Sequence, residues 1–337
     1  PTGNVTFTID GAPQTPVAVN GSGQATISTS ALAVGTRSIG ATYNGDTVHN
    51  SSTAASVSQT VNQVATTTVL ASSANPSNVG ASVTFTATVA PVSGSGTPSG
   101  DVTFTIDGTP EAPITVNGSG QATFTTSSLA IGQRTIGATY SGDTNNISSA
   151  ATPLNQTVNQ IATTTALASS ANPSNVGDSI TFTATVTANS GGSTPTGTII
   201  FTVDGTPQAP IGLDGSGQAT LSTATLAPGS RTIDASYSGD TNYVASNNSL
   251  TQTIDQIATT TALASSANPS SVGDSVTFTA TVTADYGGGT PSGTITFTVD
   301  GTPQAPVALD GSGQASFSTA ALAIGSRSIE AAYSGDT

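Results

Sequence analysis

Any chemistry in this chain would have to come from few residue types. The 337 residues include 18 Asp and Glu, four Arg and one His, with no Lys and no Cys. His49 stands alone, with no Ser or Cys pattern around it, so we interpret it as a solvated loop residue and not as a general base. Because no His, Cys, Lys or acid pair recurs or clusters in a catalytic arrangement, the sequence predicts that the protein is not an enzyme.

Recurring aspartates are the best candidates for binding a metal ion. Asp204 and Asp240 have counterparts in every repeat described below, Asp300 is one such counterpart of Asp204, and Asp274 adds a carboxylate in the last repeat. Calcium needs six to eight oxygen ligands, and the sequence contains no D-x-D or D-x-N-x-D loop that would bring several carboxylates together. We therefore interpret these aspartates as turn and Asx-capping residues. We expect no metal and no other cofactor, with calcium as the weaker alternative.

One arginine and one tyrosine also recur, on the same segment of each repeat. Arg231 shares its parity with Ile233, Ala235 and Tyr237 in RTIDASY, a pattern typical of a half-buried strand. We expect the arginine stem to cover the core while its guanidinium reaches water or a carboxylate. The tyrosine hydroxyl is expected to bond a nearby backbone group. Asn20, Asn117, Asn146 and Asn155 are among the asparagines that match the glycosylation sequon, and we interpret them as chance matches; O-glycosylation of exposed Ser and Thr faces is left open.

The elements that position these residues repeat along the chain. Asp10, Asp107, Asp204 and Asp300 lie 97, 97 and 96 residues apart, a period that matches one small domain. We therefore divide the chain into four repeats. Repeat 1 lacks its opening strands and repeat 4 its closing strand, and the four repeats span residues 1–64, 65–161, 162–258 and 259–337.

Each repeat is predicted to be all-β. In SITFTATVTA, Ile180 and Phe182 begin an alternation of apolar residues with threonines that has a period of two. About seven such strands and no helical period predict antiparallel β-sandwiches in tandem. The first strand of repeat 3 is expected to kink at Asn172-Pro173. The segment 209–223 is expected to form a hairpin around its DGSG turn.

Composition limits the partners. The net charge of −14 argues against nucleic acid, which requires clustered Lys and Arg. No apolar run approaches the roughly 18 residues of a membrane span, so direct membrane insertion is not expected. The repeats join without a Gly/Ser- or Pro-rich linker, and we expect Val64, Ile161 and Ile257 to pack in the joints. Each repeat thus has its neighbours as partners, and the array is expected to be an elongated, semi-rigid rod.

The string PSGTITFTVDGTPQAPVALDGSGQASFSTAALAIGSRSIEAAYSGDT closely resembles bacterial Ig-like (Big-type) repeat domains, and the resemblance covers essentially the whole chain. It implies an Ig-like β-sandwich of large secreted or cell-surface proteins, often adhesins and filamentous appendages. On this basis we expect an extracellular stalk or filament shaft.

Two alternatives stay open. In the first, loops bind a glycan, a protein or a surface, with Tyr243 and Tyr286 as the first places to look. In the second, identical chains assemble into a filament, each supplying a strand that another lacks. Because no Met is present and both ends fall inside a repeat, we favour an excerpt of a longer chain over that assembly.

Overall fold

The computed structural model describes residues 1–94, 96–287 and 289–336. These residues form strands, turns and loops without a helix, which confirms the all-β class. None of them belongs to a helix that could span a bilayer. The chain divides into two compact units, of which the first ends at Ile161 and the second begins at Ala162.

In the first unit, repeat 1 forms one sheet in the order β2-β1-β4-β5, with β3 on β1 and β6 on β4. Its strands are β1 Asn4–Ile9, β2 Ala12–Pro13, β3 Val17–Ala18, β4 Gly35–Tyr43, β5 Ser52–Thr53 and β6 Val57–Val61.

Repeat 2, also in the first unit, has two sheets. The small sheet has the order β13-β9-β7, and the large sheet has the order β11-β10-β14-β16-β8, with β12 on β10 and β15 on β14. The strands are β7 Thr66–Ser72, β8 Ser77–Asn78, β9 Val83–Pro91, β10 Asp101–Ile106, β11 Thr109–Pro110, β12 Ile114–Thr115, β13 Gln121–Thr126, β14 Gly132–Tyr140, β15 Ser149–Ala150 and β16 Leu154–Asn159.

The second unit repeats this plan. In repeat 3 the small sheet is β17-β19-β23 and the large sheet is β18-β25-β24-β20-β21, with β22 on β20. In repeat 4 the small sheet is β26-β27-β31, and the large sheet is β29-β28-β30 with β32 on β28. The strands of the second unit are β17 Thr163–Ser169, β18 Ser174–Asn175, β19 Ile180–Ala188, β20 Thr198–Val203, β21 Thr206–Pro207, β22 Ile211–Gly212, β23 Gln218–Thr223, β24 Gly229–Tyr237, β25 Ser246–Asp255, β26 Thr259–Ser265, β27 Val276–Ala284, β28 Thr294–Val299, β29 Thr302–Pro303, β30 Val307–Ala308, β31 Gln314–Thr319 and β32 Ile329–Tyr333.

The core lies between the two sheets, and the period of two places its residues. On β19 the apolar side chains from Ile180 to Val186 are buried, while the threonines between them are half-buried. Phe182 of the small sheet and Phe201 of the large sheet are both fully enclosed. Since successive strand residues point to opposite faces, one apolar row per strand is sufficient to fill the space between the sheets.

The opening strand of repeat 3 crosses from one sheet to the other. β17 pairs with β19 in the small sheet, and β18 pairs in parallel with β25 in the large sheet. Between them lies Asn172-Pro173, whose peptide bond is cis. The predicted kink is therefore confirmed, and the bend transfers the chain between the layers.

The predicted hairpin over 209–223 is wrong. Its two arms, β22 and β23, pair with β20 in the large sheet and with β19 in the small sheet. Only the turn closes as expected, with Asp214 N donating to Gln218 O at 2.8 Å and a positive φ at Gly217. Each arm takes its ladder partner from a different layer, which alternation along one segment cannot reveal.

Candidate functional site

The recurring tyrosine and aspartate meet in one loop, which we call the tyrosine–aspartate loop and which in repeat 3 spans residues 237–243. Tyr237 Oη donates to Thr196 O at 2.5 Å. Asp240 Oδ2 accepts from Thr196 N at 2.9 Å and from its Oγ1 at 2.6 Å. Asp240 Oδ1 accepts from the backbone N–H groups of Asn242 and Tyr243 at 2.8 and 2.9 Å. The loop is thus fastened to the residues that precede β20, and the predicted backbone bond of the tyrosine is confirmed.

The pKa values of both titratable groups of this loop are shifted away from neutral pH. Burial, followed by the negative charge of Asp240, raises the pKa of Tyr237 to about 12. Burial alone would raise the pKa of Asp240, but the hydrogen bonds donated by Thr196 and by the loop backbone outweigh it and lower that pKa. The tyrosine stays protonated and the aspartate stays ionised around neutral pH, so the pair does not act as an acid–base couple there.

The tyrosine and the aspartate recur in each repeat, and the residue three positions after the aspartate differs among repeats 1 to 3. Asp143 accepts from Ser99 N at 2.7 Å and from Asn146 N at 2.7 Å, which repeats the arrangement around Asp240. In repeat 1, His49 takes the place of Asn146, and its Nδ1 lies 2.9 Å from Asp46 Oδ1. The His49 side chain is about half exposed, in agreement with a loop residue, but the sequence analysis missed its carboxylate partner. The spacing of three residues after the aspartate was the available signal.

The recurring arginine pairs with the recurring turn aspartate. Arg231 Nη1 lies 3.3 Å from Asp204 Oδ2, while its Nε donates to Ala227 O at 2.9 Å and its Nη2 donates to Pro228 O. Asp204 has a φ of 47°, and its Oδ1 accepts from Thr232 N at 2.8 Å. That backbone bond and the arginine lower the pKa of Asp204. The guanidinium therefore closes the loop before β24 against the turn after β20, which confirms the predicted structural role.

The same pair is formed in all four repeats, at Nη1–Oδ2 distances between 3.0 and 3.3 Å. The pairs are Arg37–Asp10, Arg134–Asp107, Arg231–Asp204 and Arg327–Asp300.

The four calcium candidates lie in separate places. Asp204 and Asp300 are occupied by their arginines, Asp240 lies in the tyrosine–aspartate loop, and Asp274 Oδ2 accepts from Ser271 N at 2.8 Å. In the part of the chain that the structure describes, no three His, Asp or Glu side chains are grouped to hold a metal ion. The interpretation of these aspartates as turn residues stays a prediction.

A buried glutamine on the closing strand was missed by the sequence analysis. Gln252 of β25 is 0% exposed. Its Oε1 accepts from Ser169 Oγ at 2.6 Å, and its Nε2 donates to Ala171 O at 2.9 Å and to Ser174 Oγ at 3.3 Å. Gln156 makes the same contacts in repeat 2. Because its partners flank the bend in the opening strand, this side chain connects both sheets at the bend.

The two tyrosines selected as binding candidates differ in exposure. Tyr243 is only 3% exposed, and its hydroxyl donates to Ser193 O. Its selection as a residue available for binding was wrong, since its side chain is buried and its hydroxyl is already bonded. Tyr286 is 67% exposed.

The joint between repeats 1 and 2, within the first unit, is made by backbone pairing. Val64 N donates to Asn145 O at 2.8 Å, and Val64 O accepts from Ile147 N at 2.8 Å. Gln63 Nε2 donates to Asp143 O at 2.8 Å. Val64 is thus held by the tyrosine–aspartate loop of repeat 2, the domain that it precedes.

Solved structures with a likeness to this chain include two bacterial adhesins and a set of fibronectin(III)-like modules. The FdeC adhesin of Escherichia coli is 16% identical, with 80% of this chain and 93% of that chain covered and a TM-score of 0.28. The adhesin InvE of Yersinia pseudotuberculosis is 21% identical, with coverages of 56% and 58% and a TM-score of 0.28. The fibronectin(III)-like modules of CbhA from Clostridium thermocellum are 17% identical, with coverages of 56% and 95% and a TM-score of 0.24.

The family comparison covers nearly the whole sequence. No curated protein matches the chain. The family model described as bacterial Ig-like domain (group 3) matches it four times, over residues 1–62, 70–159, 167–255 and 263–337. With the repeats, the two-sheet core and these four matches in agreement, the chain belongs to the family of bacterial Ig-like domains, group 3.

Proposed function

We propose that this chain is a structural segment of a bacterial surface protein, in which a row of Ig-like domains acts as a semi-rigid extracellular spacer. The observation that carries the proposal is the joint at Val64. Both backbone hydrogen-bonding groups of this residue are engaged by the following domain. A residue held on both its N–H and its C=O has lost most of its freedom to rotate, so bending is confined to the one or two residues before it.

The side chain before Val64 supports the same interpretation. Gln63 reaches the carbonyl of Asp143 in the first unit, and Gln256 reaches the carbonyl of Asp336 at 3.2 Å in the second unit. The joint contact is therefore a repeated feature of the domain and not a peculiarity of one copy. A spacer needs this regularity, because its length then grows in proportion to the number of its domains.

The polar residues that recur support a non-catalytic role. In repeat 3 the side chains of the recurring residues all bond to the protein itself. This holds for the arginine and its turn aspartate, and for the tyrosine and aspartate of the tyrosine–aspartate loop. A chain of net charge −14 also repels its own copies, which keeps a crowded array of such spacers soluble. Membership of a family of bacterial Ig-like domains supports a location on the outside of the cell.

Electron microscopy of chains with different repeat numbers tests the spacer proposal. Strands of about eight residues plus loops predict an increment of roughly 35–40 Å for each added repeat. We expect particle length to increase linearly with repeat number and with a narrow spread of end-to-end distances. Particles whose end-to-end distance does not increase with added repeats would contradict the proposal.

A binding role is the second candidate, and the exposure of Tyr286 favours it. An exposed tyrosine offers a rigid, amphipathic contact surface, and this one lies in a loop at the end of β27. A glycan array probed with the native chain and with Tyr286→Ala separates the two roles. Binding that the substitution abolishes would favour a recognition module, and an array without signal would leave the spacer as the function.

A further inference from the structure

Two exposed asparagines are placed for attack on their side chains by the backbone nitrogen of the next residue. Asn20 and Asn117 are each followed by glycine in corresponding turns, and in repeat 2 this turn leads into β13. Asn44 is the third asparagine followed by glycine in this sequence. From the geometry of these three sites we propose that Asn20 and Asn117 are sites of spontaneous, backbone-assisted deamidation, and that Asn44 is protected by its bond to Thr6 and by the crowding of Gly45.

The reaction begins with attack by a backbone nitrogen. The amide nitrogen of Gly21 loses its proton to a solvent base and forms a bond to Asn20 Cγ, and negative charge develops on Oδ1. The bond from Cγ to Nδ2 then breaks, and the nitrogen leaves as ammonia with a proton from water. One water molecule opens the resulting succinimide, and the product is aspartate or isoaspartate. In total one water is consumed, one ammonia is released and no electrons are transferred.

The turn supplies hydrogen-bond donors to the atom that becomes charged. Asn20 Oδ1 accepts from Ser22 N and from Gln24 N, both at 3.0 Å. Asn117 Oδ1 accepts from Ser119 N at 2.9 Å and from Gln121 N at 3.0 Å. Preorganised backbone N–H groups that face a developing oxyanion lower the barrier to acyl transfer. The donors that fix the turn are therefore also placed to stabilise the tetrahedral intermediate.

The glycine that carries the attacking nitrogen is also uncrowded. A Cβ built on Gly21 or Gly118 meets no atom within 4 Å, and both glycines are exposed. Each of these glycines therefore lies in open space that solvent reaches, in contrast to Gly45.

Asn44 carries the same dipeptide in a different setting. Its Oδ1 accepts from the hydroxyl of Thr6 at 3.2 Å, and its Nδ2 donates to the same hydroxyl at 3.1 Å. A Cβ on Gly45 would lie 3.0 Å from His49 O and 3.1 Å from Ser51 N. Without the pair of backbone donors and with the next residue crowded, Asn44 is the internal reference for the reaction.

The protein itself shows that the aspartate product fits this turn. Asp214 and Asp310 occupy the corresponding positions of repeats 3 and 4. Asp214 Oδ1 accepts from Ser216 N at 2.8 Å and from Gln218 N at 2.9 Å, the same contacts that the asparagines make. Conversion of both asparagines therefore makes the net charge more negative by two, from −14 to −16, without a change of fold. The isoaspartate product adds one backbone atom and does not have this precedent.

The test is site-resolved mass spectrometry of the aged native chain. The folded protein is held in mildly alkaline buffer, and conversion at the three asparagines is quantified with a fragmentation method that separates aspartate from isoaspartate. We expect Asn20 and Asn117 to convert at least about tenfold faster than Asn44, a small part of what one oxyanion-hole donor contributes in enzymes. In denaturant, where the turn is lost, the three rates should converge.

A matched variant checks the attacking residue. Gly118→Ala places its Cβ in open space, so the fold should be kept while conversion at Asn117 slows and conversion at Asn20 stays unchanged. Equal rates at all three sites in the folded chain would overturn the proposal. Conversion of Asn20 and Asn117 in denaturant but not in the folded chain would overturn it as well, since the turn would then protect them.

Discussion

The two sheets of a complete repeat are built on different principles. In repeat 3 the large sheet and its loops hold Arg231, Asp204, Tyr237 and Asp240, whose side chains are all hydrogen-bonded to the protein. The small-sheet strands β17, β19 and β23 contain no charged residue, and their outward positions are mainly Thr, Ser and Ala. Both sheets nevertheless enclose one phenylalanine completely, Phe182 on β19 and Phe201 on β20.

The difference indicates that the two sheets contribute to stability in different ways. Burial of apolar side chains is shared between the sheets and stabilises the sandwich without fixing its loops. The polar side chains of the large sheet fix the loops at both ends of the domain, because each connects a strand end to a specific backbone group. This difference predicts that substitutions in the shared core cost the most stability, that loss of the buried glutamine costs less, and that changes on the outer face of the small sheet cost the least.

The largest effect is expected from the shared core. Phe182→Ala and Phe201→Ala should each lower the free energy of unfolding of repeat 3 by about 3–5 kcal/mol, because each opens a cavity between the sheets. Hydrogen exchange followed by mass spectrometry measures this loss of stability in the peptides of repeat 3, with the peptides of repeat 2 as the internal reference. If one substitution cost less than half of the other, the two sheets would not share the core equally.

The connection between the sheets should come next. Gln252→Leu removes a buried amide that bonds Ala171 O and two serine hydroxyls, of which that of Ser174 belongs to a buried residue, and this should cost about 1–3 kcal/mol. The control is Gln59→Leu at the corresponding position of repeat 1, where the side chain is exposed and bonds only its neighbour Thr60 among the contacts described. Equal losses in exchange protection at both sites would contradict the role assigned to the glutamine.

Acid should weaken the large-sheet loops. The pKa of Asp240 is lowered in the folded protein, so its hydrogen bonds stabilise the fold above the unfolded pKa of about 3.9 and are lost as the pH falls through the folded pKa. We expect the melting temperature to decrease below about pH 4 and the decrease to be shallower in Asp240→Asn. Calorimetry in low and high salt separates this effect from the overall charge, because salt screens exposed charges far more than hydrogen-bonded ones. A parent and a variant with parallel pH profiles would contradict it.

The outer face of the small sheet should tolerate change. Thr220→Ser reproduces the residue at the corresponding position in repeat 4, Ser316, and should change stability by less than about 0.5 kcal/mol. Denaturant unfolding of the chain checks this. A clear loss would show that the outward threonines hold the small sheet more specifically than the comparison of the sheets implies.

No effect is expected from calcium. The carboxylates of Asp204 and Asp240 already accept hydrogen bonds from the protein, so adding calcium or a chelator should leave the melting temperature unchanged. A ligand that binds the folded state raises its stability in proportion to the logarithm of its concentration. A melting temperature that increased in this way with calcium would overturn the interpretation of the aspartates as turn residues.

Much of this fold follows from the sequence because its strands alternate strictly. The parity of Ile180 and Phe182 identified the buried face, and the parity of Arg231 and Tyr237 identified residues at its rim. Gln252 could have been found in the same way, since it shares its parity with Leu250 and Ile254, but its polarity suggested an outward position. The failed hairpin has a different cause, because pairing partners lie far apart in sequence and alternation does not specify them. The burial of Tyr243 depended on the depth of the neighbouring loop, which local sequence does not give.

The joint at Val64 has a consequence for how such proteins change over generations. Because the segment before repeat 2 bonds to that repeat, and Gln256 bonds to repeat 4 in the same way, each of these domains forms one self-contained cassette with the residues that precede it. Gene segments that encode nearly identical cassettes recombine with one another, and a copy gained or lost leaves the remaining joints intact. A change in the number of domains therefore requires no new interface.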